Sequence, residues 1–224
     1  MVADLGSGAF SNLVRYRPPD SLDGIIISHM HADHFLDIIP LRYALKYGHR
    51  SNDRKLPLYL PPGGGTMLRR LCSAFAKETD ADFLGEVFDV RAYDPAAALR
   101  LHAATLRFAP TDHFVPTFAM RCEVAASSFV YSSDTAPADS VATLAREADL
   151  FLCEATLSDA EVNEPKRGHM SALEAGTIAA RAAVKRLVLT HYPAAASPAA
   201  IAGSARAAFD GAIEVADDGH RFAF

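Results

Sequence analysis

The sequence predicts a layered α/β protein with mixed β-sheets. Four short apolar runs, mostly rich in β-branched or aromatic residues, have the length and composition of buried strands: 24–27 (GIII), 129–131 (FVY), 150–153 (LFLC) and 187–189 (LVL). Helical patterns lie between these runs. Looser alternation over residues 99–124 is typical of antiparallel strands, so parallel and antiparallel pairing are expected in one protein.

Three helices are predicted from apolar spacing. Residues 35–47 are mostly apolar with helical periodicity, and Pro40 predicts a break or kink within them. Residues 66–77 and 137–148 form the second and third predicted helices. The three glycines at 63–65 lack the lysine and hydroxyl of a phosphate-binding loop, so they predict a plain turn before the second helix.

Two further helices carry start signals. Residues 171–184 begin with Ser171, three positions before Glu174, and this spacing matches a capping box. The last helix starts at Ser197 and Pro198, with serine as the N-cap and proline in the first helical position.

Length and composition favour one cytoplasmic domain over residues 1–224. Half of the residues are hydrophobic, and the net charge of −5 gives no footprint of nucleic-acid or membrane affinity. The N-terminus has no basic and apolar leader pattern, and no apolar run is long enough to span a bilayer. The three cysteines, an odd number without CxxC spacing, predict reduced thiols, with Cys122 and Cys153 in the core.

Each of the four apolar runs is followed by residues that bind metals or move protons. The first runs into His29, the second into Asp134, the third into Glu154 and the fourth into His191. Sites in α/β sheets gather outside the carboxyl ends of strands. Four such coincidences predict one site at the strand ends.

The stretch SHMHADH, residues 28–34, supplies four ligand-type groups on one loop: His29, His31, Asp33 and His34. A single catalytic metal needs about three protein ligands. This loop and its partners offer more, so the spacing predicts two metal ions, a pair that suits ester and phosphodiester hydrolysis. Imidazole and carboxylate donors without cysteine favour Zn²⁺, with Mn²⁺ or Fe²⁺ as alternatives.

The other histidines receive different interpretations. His102 lies inside the strand-like LRLHAATL and is expected to be a hydrogen-bonded core residue. His49 and His220 are expected in surface or loop positions.

These residues resemble the metallo-β-lactamase fold, in its ribonuclease Z-like branch. The resemblance covers nearly the whole chain and rests on seven stretches: DLGSG (4–8), SHMHADH (28–34), TDHFVP (111–116) with Arg121, YSSDT (131–135), CEATL (153–157), GHMSALEAG (168–176) and LTHYP (189–193). The family's fourth motif usually has glycine in place of Ser133. The family's di-iron oxygen reductases replace the second histidine of SHMHADH by glutamate, so His31 favours zinc hydrolysis.

The resemblance implies a four-layer αββα sandwich of two mixed β-sheets, lacking the N-terminal hairpin that the family has before its Asp-x-Gly motif. It also implies the ligand sets. His29, His31 and His113 would hold the first metal, with His102 as the alternative to His113. Asp33, His34 and His191 would hold the second, and Asp134 would bridge the two.

The resemblance further implies the catalytic roles. A hydroxide formed from metal-bound water would attack the substrate, with Asp33 orienting it or accepting its proton. His169 would protonate the leaving oxygen, and Glu154 is its natural carboxylate partner. The alternative for His169 is a simple loop histidine.

The leading functional prediction is a dinuclear zinc hydrolase of a small, cyclic or nucleic-acid-derived phosphodiester. The alternatives are a tRNA 3′-end endonuclease, a hydrolase of an ester, lactone or thioester, and a truncated relic without activity. tRNA is a less favoured partner, because the interval between His113 and Asp134 leaves room for a hairpin only. A membrane partner is not expected, and the resemblance allows a homodimer.

Overall fold

The computed structural model describes residues 1–48, 53–74, 76, 82–163 and 166–223. The chain divides into two compact units, an N-terminal unit of Met1–Asp94 and a C-terminal unit of Pro95–Phe224. The single domain over 1–224 stays a prediction, and His49 lies outside the described residues.

The N-terminal unit is built on a four-stranded parallel sheet. Its strands follow one another in space as they do in sequence: β1 (Val2–Ala3), β2 (Ile25–Ile26), β3 (Leu56–Leu60) and β4 (Phe88–Ala92). Fully buried apolar side chains such as Ile25, Leu58 and Phe88 form its core. The predicted strand at 24–27 is confirmed.

Four helices belong to this unit: α1 (Ala9–Leu13), α2 (Ala32–Phe35), α3 (Ile38–Tyr47) and α4 (Gly64–Cys72), with a 3-10 turn at Pro19–Ser21. The helix predicted over 35–47 is interrupted at residues 36–37, not at Pro40. Pro40 is the third residue of α3, where the backbone N–H has no partner within the helix, so proline is tolerated there. Gly63, with φ +82°, is the N-cap of α4, as the predicted turn requires. Positions 75 and 77 of the second predicted helix lie outside the described residues.

The C-terminal unit is built on a seven-stranded mixed sheet in the order β11-β10-β9-β8-β7-β6-β5. Its strands are β5 (Leu99–Leu101), β6 (Ala104–Pro110), β7 (Phe118–Val124), β8 (Ser127–Tyr131), β9 (Leu150–Glu154), β10 (Arg186–Thr190) and β11 (Ala212–Val215). The pairs from β5 to β8 are antiparallel, and those from β8 to β11 are parallel. All strands predicted in this half are confirmed.

Three helices share a hydrophobic core with this sheet: α5 (Asp139–Leu144), α6 (Ala172–Arg181) and α7 (Pro198–Arg206). The capping box of α6 is present, because Ser171 accepts from the Glu174 N–H and Glu174 accepts from the Ser171 N–H. Ser197 is the N-cap of α7, although its side chain makes no capping hydrogen bond.

The structure corrects two predictions and refines a third. The sheet of the N-terminal unit has only parallel pairs among the described residues, so mixed pairing holds for the larger sheet alone. His102 is exposed in the turn between β5 and β6 with φ +51°, because the chain reverses there instead of continuing as one strand. Cys153 is fully buried and burial raises the pKa of its thiol, whereas Cys122 is only partly buried in β7.

No helix in the described stretches of chain is both long and apolar enough to cross a membrane.

Candidate metal centre

The end of β2 leads directly into the histidine-rich loop of the N-terminal unit. His29 and His34 are buried, His31 is partly buried, and Asp33 is exposed in the first turn of α2. The ring of His29 lies 4.0 Å from that of His34 and 4.9 Å from that of His31, measured between centroids. Nε2 of His34 lies 3.6 Å from Oδ2 of Asp33. The loop therefore gathers its donor groups at one place.

Asp4 determines the tautomer of two of these imidazole rings. Its Oδ2 accepts from the hydroxyl of Ser28 and from Nδ1 of His34, both at 2.7 Å, and its Oδ1 accepts from the Ser28 N–H at 2.7 Å. Because the one hydroxyl proton of Ser28 goes to the carboxylate, Ser28 Oγ can only accept from Nδ1 of His29, at 3.1 Å. His29 and His34 therefore both carry the proton on Nδ1, and Nε2 keeps its lone pair.

The backbone of this loop is held by close packing. A Cβ on Gly6 would lie 1.5 Å from the carbonyl oxygen of Asp33, so only glycine fits there. The Leu5 N–H donates to the His34 carbonyl at 2.7 Å. The buried hydroxyl of Tyr93 lies 3.2 Å from the Ile27 carbonyl oxygen, to which it donates. The DLGSG segment thus supports the histidine-rich loop, and this role accounts for its sequence pattern.

In the C-terminal unit, Asp134 lies between two histidines. Its Oδ2 is 3.8 Å from Nε2 of His113, and its Oδ1 is 3.7 Å from Nε2 of His191. These separations are too long for hydrogen bonds. They approach the spacing of about 3.4 Å between two ligands that share a zinc ion in tetrahedral geometry. Each oxygen of Asp134 faces a different imidazole, which is the arrangement that a bridging carboxylate requires.

Backbone and side-chain hydrogen bonds hold the His113 loop beside Asp134. The Thr111 hydroxyl donates to the Asp134 carbonyl at 2.9 Å, and the Asp112 N–H donates to the Thr135 hydroxyl at 3.1 Å. Nδ1 of His113 donates to the Gly168 carbonyl at 2.6 Å. Because a carbonyl can only accept, His113 also carries its proton on Nδ1.

The orientation of His191 depends on Thr156. The Thr156 hydroxyl donates to the His191 carbonyl at 2.9 Å, so its oxygen accepts from Nδ1 of His191 at 2.8 Å. His191 follows β10 with φ +51°, a conformation that few residues other than glycine adopt. The left-handed turn and the threonine together aim Nε2 toward Asp134.

His169 joins this group from the loop before α6. Its Nδ1 lies 3.0 Å from Oε1 of Glu154, which is buried and also accepts from the Thr135 N–H at 2.5 Å. The ring of His169 stacks against that of His191 at 5.7 Å. One donor atom each from Asp134, His169 and His191 lies within 4.8 Å of the others.

Three of the non-glycine residues in the left-handed region belong to or support the candidate donor sets: Asp4 (φ +57°), Ser133 (φ +52°) and His191 (φ +51°). Such conformations cost about 1 kcal/mol or more each and cluster at functional sites. Ser133 stands where the family motif usually has glycine, and its positive φ gives the physical reason for that glycine.

The donor chemistry fits divalent metal ions. Five histidines have Nδ1 hydrogen-bonded to a protein oxygen: His29, His34, His113, His169 and His191. Metal-binding histidines characteristically use one ring nitrogen for the metal and the other for such a partner, which fixes the ring's orientation. Imidazole nitrogens and carboxylate oxygens are the ligands that zinc and related ions accept.

The structure places the predicted residues in two sets, one in each unit. His29, His31, Asp33 and His34 lie together in the N-terminal unit, and His113, Asp134, Glu154, His169 and His191 lie together in the C-terminal unit. His102, the competitor of His113, is remote from this set in the β5–β6 turn. Sequence reasoning missed Ser28 and Thr156, whose only signal was their position beside ligand-type residues.

Imidazole and carboxylate donors at the strand ends of an α/β chain are typical of metal-dependent hydrolases. The family model for the beta-lactamase superfamily domain matches residues 5–192, and the chain belongs to this superfamily as a metallo-hydrolase. Divalent metal ions are characteristic of such hydrolases.

Relatives along nearly the whole chain support this assignment. The probable metallo-hydrolase YhfI of Bacillus subtilis is 31% identical over 221 residues, covering 98% of this chain and 86% of that protein. An uncharacterized protein of Mycobacterium leprae is 33% identical over 223 residues, covering 99% and 77%. Ribonuclease Z of Mycobacterium bovis is 30% identical over 225 residues, covering 89% and 79%.

The crystal structure of the metallo-β-lactamase fold protein YhfI superimposes with a TM-score of 0.86 at 30% identity, covering 97% of this chain and 85% of that one. The predicted metallo-β-lactamase fold with ribonuclease Z-like relatives is therefore confirmed.

Proposed function

We propose that the protein hydrolyses a phosphodiester with two divalent metal ions, zinc foremost. His29, His31 and His113 would hold one ion, and Asp33, His34 and His191 the other, with Asp134 shared. The observation that carries this proposal is the position of Asp134, whose two oxygens face Nε2 of His113 and Nε2 of His191 at 3.8 and 3.7 Å.

Two such ions, when bound, supply a water whose pKa is lowered to about 7 and positive charge for the developing negative charge on the substrate. The protein's part begins with the fixed tautomers. Asp4, Ser28, Thr156 and the Gly168 carbonyl keep Nδ1 of four histidines protonated, so the ligand nitrogens need no rearrangement before the reaction. Asp33, which is exposed beside His34, would orient the nucleophile or accept its proton.

His169 would donate a proton to the leaving oxygen. Its Nδ1–H is held by Glu154, whose two oxygens lie 3.0 and 3.3 Å away. Glu154 is fixed in turn by backbone N–H groups of Thr135 and Thr156. With Nδ1 committed to Glu154, Nε2 is the nitrogen that exchanges a proton with substrate, in either charge state of the ring.

A tRNA 3′-end endonuclease is the second candidate, because a relative 30% identical over 225 residues is named ribonuclease Z. Two observations favour a smaller phosphodiester. The interval between His113 and Asp134 holds only β7 and β8, joined as a hairpin, and no inserted arm. The net charge of −5 also differs from the excess of positive charge by which proteins attract RNA phosphates. Ester, lactone and thioester hydrolysis at the same groups is the third candidate.

The test is hydrolysis of bis(p-nitrophenyl) phosphate by the purified, zinc-loaded protein, with Asp33→Ala as the inactive variant. Asp89→Ala is the matched control, since Asp89 is a carboxylate in β4 whose side chain is 41% exposed and pairs with Arg91. We expect turnover in the wild type and in the control, and loss of at least a hundredfold in Asp33→Ala. Zinc binding without phosphodiester turnover, together with turnover of a p-nitrophenyl carboxylic ester or a lactone, would contradict the proposal.

A further inference from the structure

A cavity beside His113 is not used by the proposed chemistry. It has a volume of about 320 Å³ and is lined by Asp112, His113, Phe114, Lys166 and Gly168, all in the C-terminal unit. This volume is at the lower end of the range for small-molecule sites. One wall is a proposed metal ligand, so a substrate whose phosphate reached that ligand would place its substituent in this cavity.

Phe114 forms an exposed aromatic wall of the cavity. Its side chain is 61% exposed, although single exposed apolar residues are common on protein surfaces. Its surroundings set it apart. The ring centroid lies 5.2 Å from that of His113 and 6.3 Å from that of His169. A Cβ at position 168 would lie 2.6 Å from the Phe114 ring, so Gly168 makes room for the ring at this place. The ring is held beside the reacting groups yet faces solvent.

The cavity also holds one charge of each sign. Lys166 is exposed, and no ion pair joins its ammonium to another residue in the described parts of the chain. Asp112 is exposed on the same cavity, and its backbone is fixed by the Ala136 N–H at 2.8 Å. An aromatic wall, a cation and a hydrogen-bond acceptor match a ligand with a π face, an anionic group and hydroxyl or amino donors.

We infer that this cavity binds the nucleoside part of a nucleoside phosphodiester. The base stacks on Phe114, Lys166 faces the anionic phosphate, and Asp112 accepts from a hydroxyl or amino group of the nucleoside. The inference rests on the proposed phosphodiester hydrolysis and narrows its substrate class. Base stacking on an aromatic side chain tolerates every base, so the cavity selects nucleosides in general.

The experiment compares two substrates with the same leaving group, thymidine 5′-(p-nitrophenyl phosphate) and methyl p-nitrophenyl phosphate. Phe114→Ala is expected to lower kcat/KM about tenfold for the thymidine diester, equivalent to about 1.4 kcal/mol, and to leave the methyl diester unchanged. Phe114→Tyr, which keeps the ring, should retain the wild-type ratio. Lys166→Ala should lower kcat/KM alike for both substrates, and Lys166→Arg should keep both values near those of the wild type. Tyr47→Ala, at an exposed aromatic residue of α3, is the matched control.

Binding of adenosine 5′-monophosphate, measured by calorimetry, separates this inference from the proposed function. If the wild type hydrolyses neither diester, the proposed function fails. Weaker binding of the nucleotide to Phe114→Ala, but not to Phe114→Tyr, would still support the cavity. Equal effects of Phe114→Ala on both diesters, or equal binding of the nucleotide by wild type and Phe114→Ala, would overturn the inference.

Discussion

Nδ1 of His34 donates a hydrogen bond to Oδ2 of Asp4 at 2.7 Å, across 30 positions of sequence. The same oxygen accepts from the Ser28 hydroxyl, which in turn accepts from His29. One carboxylate therefore sets the tautomer of two proposed metal ligands. The side chains of Asp4 and His34 are only 11% and 5% exposed, so water cannot readily replace this partner.

Asp4→Asn is expected to lower zinc affinity about 10- to 100-fold. An amide has one acceptor and one donor group, whereas three donors face the Asp4 carboxylate: the Ser28 N–H, the Ser28 hydroxyl and Nδ1 of His34. Either orientation of the amide places donor against donor. The affinity is measured by competition with a chromogenic chelator.

Asp37→Asn is the matched control for that change, because the Asp37 carboxylate accepts from the Phe10 N–H and an amide oxygen can replace it. Its zinc affinity should stay within about twofold of the wild type. Unchanged affinity in Asp4→Asn would show that the carboxylate does not set the ligands.

Gly6→Ala is expected to destabilise the protein by about 3 kcal/mol, the upper end of the range for overpacking. Its Cβ would lie 1.5 Å from the Asp33 carbonyl oxygen, and the backbone of the histidine loop would have to move. Gly8→Ala is the control, since its Cβ meets no atom within 4 Å and only its φ of +89° opposes the change. Urea unfolding measures both. A smaller loss in Gly6→Ala than in Gly8→Ala would contradict the close approach.

Local signals made most strands and helix starts predictable. The strands at β8, β9 and β10 are continuous apolar runs, and the capping box at Ser171 depends on a residue only three positions away. Three strands of the N-terminal unit were missed, because β1 has only two residues, Pro57 interrupts the pattern of β3 and polar residues interrupt that of β4. Their pairing is decided by packing between distant segments.

The candidate site shows the same division. The spacing of SHMHADH and the residues at strand ends revealed the donor groups, because each motif lies within a few residues. Partners that orient them lie far away in sequence: Asp4 is 30 positions from His34, and Thr156 is 35 positions from His191. Short-range patterns carry no information about such pairs.

Asp149→Asn is expected to weaken stability at neutral pH and to make it less dependent on pH below 4. Asp149 accepts from Nζ of Lys185 at 2.6 Å and from the Ser128 N–H at 2.7 Å, and these bonds lower its pKa to about 2. A carboxyl whose folded pKa is below its unfolded value, about 3.9, stabilises fully above that value. The contribution is lost as pH falls from about 4 through 2.

Urea unfolding of wild type and Asp149→Asn at pH 7, 4 and 3 measures this difference. We expect the gap in free energy of unfolding to shrink toward acid. Asp210→Asn, at an exposed carboxylate, should show no gap at any pH. A gap in Asp149→Asn that stays constant with pH would assign the effect to hydrogen-bond geometry instead of charge.

His169→Ala is expected to slow turnover while zinc content stays at the wild-type value, because His169 is proposed to protonate the leaving oxygen and not to hold a metal. General acid catalysis contributes about 10²- to 10⁴-fold when the leaving group is a poor one. The loss should therefore reach about a hundredfold on a dinucleotide, which releases a ribose hydroxyl, and stay below about tenfold on bis(p-nitrophenyl) phosphate, which releases a stable phenolate. His220→Ala, an exposed histidine, is the control. Loss of zinc in His169→Ala would instead make His169 a ligand beside Asp134 and His191, whose donor atoms lie within 4.8 Å of its own.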